Sequence, residues 1–193
     1  MNPKKIVLTG GPGGGKTTAA DLISRDFNDH IVIVPEAATI LYSGGFPRRS
    51  DDFSRKAAQT SIYNVQKNLE EVQSIQSPDK ILFCDRGALD CAVYWPDGPD
   101  DFFEWVGTTL EAELNAFEAV VFFESAAVGG SKIDSGNPIR NENLEQAKIL
   151  DKKLRDIYSK HNNFYLIEHH EVFFEKMKTA YDCLQQILKD LSR

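Results

Sequence analysis

A glycine-rich segment near the start of the chain is the part of the sequence best suited to chemistry. Residues 10–17 run Gly-Gly-Pro-Gly-Gly-Gly-Lys-Thr and fit the pattern G-x-x-x-x-G-K-[ST]. Glycines allow positive φ and a close backbone approach, so successive N–H groups and the start of a following helix can surround an anion. The segment predicts a loop that holds the phosphates of ATP or GTP together with magnesium.

Each position of this phosphate loop has an expected role. Lys16 should reach the β- and γ-phosphates, and Thr17 should place its hydroxyl on magnesium. We expect Thr18 to contact the α-phosphate. The remaining nucleotide contacts are expected from the residues that precede the lysine, which are Gly11, Pro12, Gly13, Gly14 and Gly15.

A second motif consists of four apolar residues followed by an acid, Ile-Leu-Phe-Cys-Asp at 81–85. An acid at the end of such a strand can hold magnesium through water across from a phosphate loop, or act as an acid or base. The alternative is that Asp85 caps the helix that follows. Arg86 comes next, where its charge would meet a phosphoryl group in transfer; an unpaired surface arginine is the alternative.

Further polar residues follow the second apolar run. Glu36 would project from the same sheet edge as Asp85 and could reach an acceptor hydroxyl, or it could simply begin a helix. Arg48 and Arg49 could hold an anionic substrate or form an exposed basic turn. Tyr94 and Trp95 could stack on a base, although packing is the commoner use of aromatic residues in a helix. For His169 and His170 we expect backbone contacts to a base rather than a metal site.

Five short apolar runs, which predict buried strands, must position these residues. The strands are expected at Ile6 to Thr9, Ile31 to Val34, Ile81 to Cys84, Val120 to Phe123 and Phe164 to Ile167. Strands alternate with segments of helical period, which predicts a parallel sheet with right-handed crossovers. We therefore expect a three-layer α/β/α sandwich whose ligands bind beyond the carboxyl ends of the strands.

The helices are expected where apolar residues recur at steps of three and four. The first runs from Lys16 to Phe27. A second carries a stripe from Ala58 to Val72, a third opens at Pro99 and continues to Leu114, and the last runs from Phe173 to Leu191. Their apolar stripes are expected to face the core.

The segment 125–140 is longer than an ordinary connection and is rich in Gly, Ser, Asn and Asp. We interpret it as a lid loop within one domain that spans residues 1–193.

Bulk properties exclude several classes of protein. The formal charge is −7, which disfavours a nucleic-acid backbone or an anionic membrane as the main partner. Three cysteines without metal-ligand spacing argue against a disulfide framework or a zinc site. No apolar run approaches the roughly 20 residues needed to span a bilayer, and no signal-peptide pattern precedes the first strand. We expect a cytoplasmic protein.

Taken together, the phosphate loop, Pro-Glu-Ala-Ala at 35–38, and Asp-Arg-Gly at 85–87 with Asp90 and Tyr94 resemble the AAA-domain family of small P-loop ATPase and kinase proteins. That family is related to the nicotinamide-riboside kinase domain of the bacterial NAD regulator. The resemblance covers nearly the whole chain.

The resemblance implies a sheet of order 2-3-1-4-5 and a set of roles. An acid after the second strand activates or orients the acceptor hydroxyl, which implies this role for Glu36. The acid and arginine after the third strand serve magnesium and phosphate, which implies these roles for Asp85 and Arg86. Lid arginines close on the triphosphate, and Arg140 occupies that position.

Two functions remain open on the sequence. The leading hypothesis is a phosphotransferase that moves the γ-phosphoryl group of Mg-ATP to a small hydroxyl acceptor. The alternative is a regulatory NTPase that hydrolyses ATP or GTP to control a protein partner, and a homodimer is also compatible with the sequence. The chain contains no Asn-Lys-x-Asp guanine motif, which favours ATP over GTP. A nucleic-acid-processing ATPase is disfavoured by the acidity of the chain.

Overall fold

The computed structural model describes residues 3–130 and 143–191. Within them lies one five-stranded parallel sheet of order β2-β3-β1-β4-β5. The strands are β1 (Lys5–Thr9), β2 (Ile31–Val34), β3 (Ile81–Asp85), β4 (Ala119–Phe123) and β5 (Phe164–Ile167). The predicted fold class and strand order are thereby confirmed.

Eight helices flank this sheet in the described part of the chain. They are α1 (Lys16–Phe27), α2 (Ala37–Ser43), α3 (Asp52–Gln76), α4 (Asp90–Tyr94), α5 (Pro99–Val106), α6 (Leu110–Leu114), α7 (Leu144–Tyr158) and α8 (Phe173–Leu191). None of these helices is long and apolar enough to cross a membrane.

Two apolar layers cover the two faces of the sheet, because neighbouring residues of a strand point to opposite faces. In β1, Val7 packs in a cluster with residues of α4 to α7, whereas Ile6 and Leu8 pack in a second cluster with residues of α1 and α8. This arrangement is the predicted three-layer sandwich.

The structure corrects the prediction of one continuous helix from Pro99 to Leu114. Gly107 adopts the left-handed conformation with φ 71° and ends α5, and the side chain of Thr109 accepts the N–H of Ala112 to begin α6. The apolar spacing continues across this break because both short helices pack on the same core cluster. The apolar periodicity therefore predicted the buried face correctly, but it did not reveal that the helix is interrupted at Gly107.

The stripe on α3 faces the core over only part of its length. Ala58 is buried and Leu69 packs against the core, but Val72 is 47% exposed. The last turns of this 25-residue helix therefore extend beyond the core that the sheet provides.

Parallel register brings the ends of β1 and β3 to one edge of the sheet. Leu8 pairs with Asp85, so the phosphate loop that follows β1 starts beside the acid that ends β3. The second strand pairs with β3 on its other side, which places Glu36 near the same edge. The fold thus brings the phosphate loop, Asp85 and Glu36 to the carboxyl ends of the strands.

Candidate active site

The phosphate loop joins β1 to α1 in a conformation that requires glycine. Gly10, Gly13 and Gly15 have φ values of 131°, 70° and 92°, a region that other residues rarely adopt. A side chain at Gly10 would also collide with the backbone of Phe123 at the end of β4. The loop therefore lies tightly against the neighbouring strand.

Lys16 lies against the loop that it ends. Its ammonium donates to the carbonyl oxygens of Gly10 and Gly11, each at 2.9 Å, and its side chain is buried. The ammonium is thus positioned at the segment that the sequence predicts to hold phosphates.

Thr17 and Asp85 come together from two different elements. The hydroxyl of Thr17, in the first turn of α1, donates to Oδ2 of Asp85 at 2.8 Å. Burial raises the pKa of Asp85, while the charge of Lys16 and the Thr17 hydrogen bond oppose that rise. The capping alternative is wrong, because α4 begins only at Asp90 and its N-cap is Leu89.

The two predicted magnesium ligands suit that ion. A hydroxyl and a carboxylate are hard oxygen ligands, and magnesium in such sites takes one or two protein ligands with phosphates and water. Within residues 3–130 and 143–191, no group of three or more His, Cys, Asp or Glu side chains is arranged to hold a metal by itself.

Arg86 is the centre of a buried ion-pair cluster. Its Nε lies 2.6 Å from Oε1 of Glu36, and its Nη1 donates to Asp90. The Nε–H is not aligned for a hydrogen bond to Glu36, so charge attraction dominates that contact. Burial alone would lower the pKa of Arg86, but the carboxylates of Glu36 and Asp90 reverse this and raise it. The interpretation of Arg86 as a surface arginine is wrong, since it is 7% exposed.

The backbone of Arg86 is also unusual. Among the described residues, it is the only non-glycine with a positive φ, at 73°. Such a conformation costs on the order of 1 to 3 kcal/mol and persists where surrounding contacts enforce it. The ion pairs with Glu36 and Asp90 supply such contacts.

Glu36 lies at the start of a helix, as one of its two interpretations expected, and its reach to an acceptor hydroxyl stays a prediction. It is the N-cap residue of α2, although its side chain makes no capping bond. Its carboxylate instead contacts Arg86 and accepts the hydroxyl of Thr39 at 2.6 Å. The carboxylate thus contacts both Arg86 and the first turn of α2.

Asp90 holds Arg86 in place, a role that the sequence analysis did not assign. It is buried, and its Oδ1 accepts the hydroxyls of Thr9 at 3.0 Å and Tyr158 at 2.8 Å while Oδ2 accepts from Arg86. The signal available in the sequence was the spacing of four residues between Arg86 and Asp90, which suits an ion pair on one helical turn.

The sequence analysis assigned no role to Asp151 or to Ser125. Oδ1 of Asp151, which is 3% exposed, accepts the N–H of Gly11 at 3.0 Å and that of Ser125 at 2.8 Å. The Ser125 hydroxyl donates to the carbonyl of Pro12. These bonds tie the start of the phosphate loop to the end of β4 and to α7. An acid at a core-facing position of α7, between Ala147 and Leu154, was the only signal available.

A cavity of about 90 Å³ lies beside this cluster, and we call it the acceptor pocket after the role proposed for it below. It is lined by residues of the phosphate loop, of α2, α3 and α4, and of the segments that precede these helices: Pro12, Glu36, Ala37, Ala38, Thr39, Tyr42, Arg48, Gln59, Ile62, Gln66, Arg86, Gly87, Asp90, Cys91 and Tyr94. Gln66 accepts the N–H of Ala37 at 3.1 Å, while its buried Nε2 has no hydrogen-bond partner among the described residues. A buried amide donor of this kind can be satisfied by an acceptor atom of a ligand.

The remaining predicted residues are distributed as follows. Tyr94 lines the acceptor pocket, but Trp95 is buried, packs edge-on against Phe102 and donates to Asp101, so its role is packing. Thr18 is exposed in the first turn of α1. Arg140 and most of the predicted lid, 131–140, lie outside the described residues.

The two histidines after β5 lie near the end of β4. The backbone N–H of His169 donates to the carboxylate of Glu124 at 2.8 Å, and the ring of His170 contacts the backbone of Val172. Their expected contacts to a base remain a prediction.

Comparisons with known proteins agree with this fold. Residues 5–176 match a family model described as an AAA domain. No curated protein matches the chain. Among solved structures, deoxyadenosine kinase from M. mycoides with bound dATP is similar, with a TM-score of 0.60 and 17% identity over 96% of this chain and 99% of that one. At this identity the likeness establishes a shared fold.

The match to the family model begins at β1 and reaches the first turn of α8. It therefore includes the phosphate loop, the Glu36–Arg86–Asp90 cluster and the helix that bears Asp151. The resemblance inferred from the sequence is confirmed, and the chain belongs to the AAA domain family.

Proposed function

We propose that the protein is a phosphotransferase that moves the γ-phosphoryl group of Mg-ATP to a hydroxyl group of a small acceptor. The observation that supports this best is the acceptor pocket, which lies beside the phosphate loop and has Glu36 and Arg86 in its wall. Plain hydrolysis needs room only for a water molecule, whereas this pocket offers amides, aromatic rings and charged groups for a larger partner.

The donor side consists of the phosphate loop with Lys16, Thr17 and Asp85. Lys16 and the backbone N–H groups of the loop would bind the phosphates and offset the charge that develops during transfer. Thr17 and Asp85 would hold magnesium, which neutralises phosphate charge when bound. No guanine motif is present in the sequence, so ATP is the expected donor.

The acceptor side consists of Glu36, Arg86 and Asp90. The acceptor oxygen would bond to the γ-phosphorus as the bond from that phosphorus to the β,γ-bridging oxygen breaks, with ADP as the leaving group. Glu36 would receive the hydroxyl proton. Arg86 would stabilise charge on the phosphoryl group in transfer, and Asp90 would keep the guanidinium oriented.

The residues that line the acceptor pocket also indicate which kind of acceptor it would bind. Gln66 presents an unsatisfied buried donor, and Tyr42 and Tyr94 supply ring surfaces. A small molecule that combines a ring, a hydroxyl and a hydrogen-bond acceptor fits this lining. Because the chain shares its fold with a deoxyadenosine kinase, nucleosides and deoxynucleosides are the first acceptors to test.

ADP formation from Mg-ATP, measured with and without a panel of nucleosides, deoxynucleosides and nicotinamide riboside, tests the proposal. We expect slow hydrolysis alone and a clear acceleration by at least one acceptor, with a phosphorylated product detectable by mass spectrometry. Acceptor-free hydrolysis as fast as turnover with every panel member would instead favour the regulatory NTPase.

Glu36→Gln separates acceptor activation from nucleotide binding. We expect this change to lower acceptor-dependent turnover by about 10²-fold or more, the usual effect of losing a general base, and to leave ATP affinity within a few-fold. The matched control is Glu71→Gln on the exposed face of α3, which should change neither quantity. Loss of ATP binding in Glu36→Gln would contradict the role assigned to this residue.

A further inference from the structure

The acceptor pocket adjoins a second, larger cavity of about 480 Å³, which we call the outer cavity. Four residues line both: Tyr42, Arg48, Gln59 and Tyr94. Pro12 of the phosphate loop lines the acceptor pocket, whereas the outer cavity reaches residues of the first turns of α7. A molecule in the acceptor pocket that is longer than the pocket would therefore extend into the outer cavity, away from the phosphate loop.

The charged side chains that line the outer cavity are positive, while the carboxylates of Asp51 and Asp52 lie beside Arg49 and Arg55. Arg48, Arg49 and Arg55 line the cavity, and no Asp or Glu is among the described residues that do so. The chain as a whole carries a formal charge of −7. Three guanidinium groups around one open cavity of an acidic protein thus form a local positive site.

Arg55 is positioned mainly by a neutral partner. Its Nη2 donates to the carbonyl oxygen of Tyr94 at 2.9 Å. Among the described residues, Asp52 lies 3.8 Å away, and that side chain is 75% exposed, where water screens the attraction strongly. The carbonyl contact therefore orients the guanidinium at the cavity without neutralising it.

Arg48 is oriented by an aromatic ring. Its guanidinium carbon lies 5.3 Å from the centre of the Tyr42 ring, a distance at which the ring face attracts a cation. Tyr42 lines both cavities, so this contact places the charge of Arg48 at the boundary between them. The arginines thus lie along one path that leads outward from Glu36 and Arg86.

We propose that the acceptor carries an anionic group, a phosphate or a carboxylate, at the end remote from the hydroxyl that takes the phosphoryl group, and that Arg48, Arg49 and Arg55 bind this group. The proposal rests on the proposed function, because it specifies the acceptor of that reaction. Guanidinium groups present paired N–H donors that match both kinds of anion, and such charged hydrogen bonds are stronger than neutral ones.

The test compares acceptor probes that differ only in the anionic group. The phosphate arm uses ribose 5-phosphate against ribose, and the carboxylate arm uses nicotinic acid riboside against nicotinamide riboside. A non-hydrolysable Mg-ATP analogue fills the phosphate loop first, so that an anionic probe does not bind there. Affinities are measured by calorimetry in the parent, Arg49→Gln and Arg55→Gln. Arg25→Gln, on the exposed end of α1, is the control that removes the same charge elsewhere.

We expect the anionic member of at least one pair to bind tenfold or more tightly than its neutral partner. Arg49→Gln and Arg55→Gln should each reduce that advantage by about tenfold, as the loss of one charged hydrogen bond predicts, while Arg25→Gln keeps it. Equal binding within both pairs, no binding of any anionic probe at millimolar concentration, or an unchanged advantage in Arg55→Gln would overturn the proposal.

The same probes distinguish this proposal from the proposed function. ADP formation is measured for each probe with Mg-ATP and the parent protein. If an anionic probe binds with the arginine-dependent advantage but no probe accelerates ADP formation, the anionic subsite stands and the phosphotransferase is in doubt. If a neutral probe accelerates ADP formation and the charge has no effect on binding, the phosphotransferase stands and the subsite does not.

Discussion

At the scale of single residues, the candidate site depends on carboxylates that hold other groups in position. Asp90 orients Arg86, and one oxygen of Asp151 accepts two buried backbone N–H groups, those of Gly11 and Ser125. The contacts of Asp151 join parts of the chain that are far apart in sequence. A carboxylate that orders the start of the phosphate loop should affect nucleotide binding as well as stability.

Asp151→Ala tests this role. The change would leave two buried N–H groups without partners, at about 1 to 3 kcal/mol each, and would free the start of the phosphate loop. We expect a lower melting temperature and a KM for ATP raised by about tenfold, with a smaller effect on kcat. Asp151→Asn retains a side-chain oxygen acceptor and should restore most of the affinity.

The control for this experiment is Asp156→Ala, an exposed acid on the same helix. An Asp151→Ala variant that is less stable but binds ATP as tightly as the parent would show that the carboxylate serves only the fold.

At the scale of elements, the strands and the phosphate loop were predictable because their signals are local. An apolar run of four or five residues and a glycine-rich turn need no knowledge of distant contacts. The break at Gly107 was not predictable from periodicity, since α5 and α6 bury the same face of the chain.

The roles of Asp90 and Asp151 were not predicted for a different reason. The partners of Asp151 lie at residues 11 and 125, and only the folded sheet brings them together.

The start of α8 contains a buried lysine whose charge should make stability depend on pH. Lys176 is 4% exposed and donates to the carbonyl of Glu124 at 2.6 Å. Burial lowers the pKa of Lys176 to about 8, and the nearby carboxylates of Glu124 and Asp151 offset part of that effect. The unfolded chain keeps its proton to about pH 10.4, so it binds more protons than the folded protein between these values.

The free energy of unfolding should therefore rise with pH across this window, by on the order of 3 kcal/mol from Lys176. Urea unfolding of the parent and Lys176→Met at pH 7, 8.5 and 10 measures this pH dependence. The titrations of all other groups cancel when the free energy of unfolding of the variant is subtracted from that of the parent at each pH. The parent should gain stability relative to Lys176→Met as pH rises. Lys178→Met, at an exposed neighbouring position, should follow the parent. A constant difference between parent and Lys176→Met would contradict the assignment.

At the scale of the whole molecule, both helical layers reach the phosphate loop. Asp151 of α7 holds Gly11 from one layer. From the other layer, Met177 and Phe173 of α8 approach Gly15 so closely that a Cβ there would lie 2.7 Å and 3.2 Å from their side chains. Asp85 of β3 holds Thr17 at the centre. A nucleotide bound in the loop should therefore stabilise the entire domain rather than one loop.

Thermal unfolding with a non-hydrolysable Mg-ATP analogue measures this linkage whichever reaction the protein catalyses. At a ligand concentration of about 100 times Kd, binding adds about 2.7 kcal/mol, which corresponds to a rise in Tm of about 5 to 10 °C for a domain of this size. The GTP analogue at the same concentration should give a smaller rise in Tm.

Lys16→Ala should lose most of the rise in Tm, because the ammonium that faces the phosphates is gone. Lys152→Ala, on the exposed face of α7, should retain it. An equal shift in Lys16→Ala would mean that the nucleotide binds elsewhere, and the donor side of the proposed reaction would then have to be reassigned.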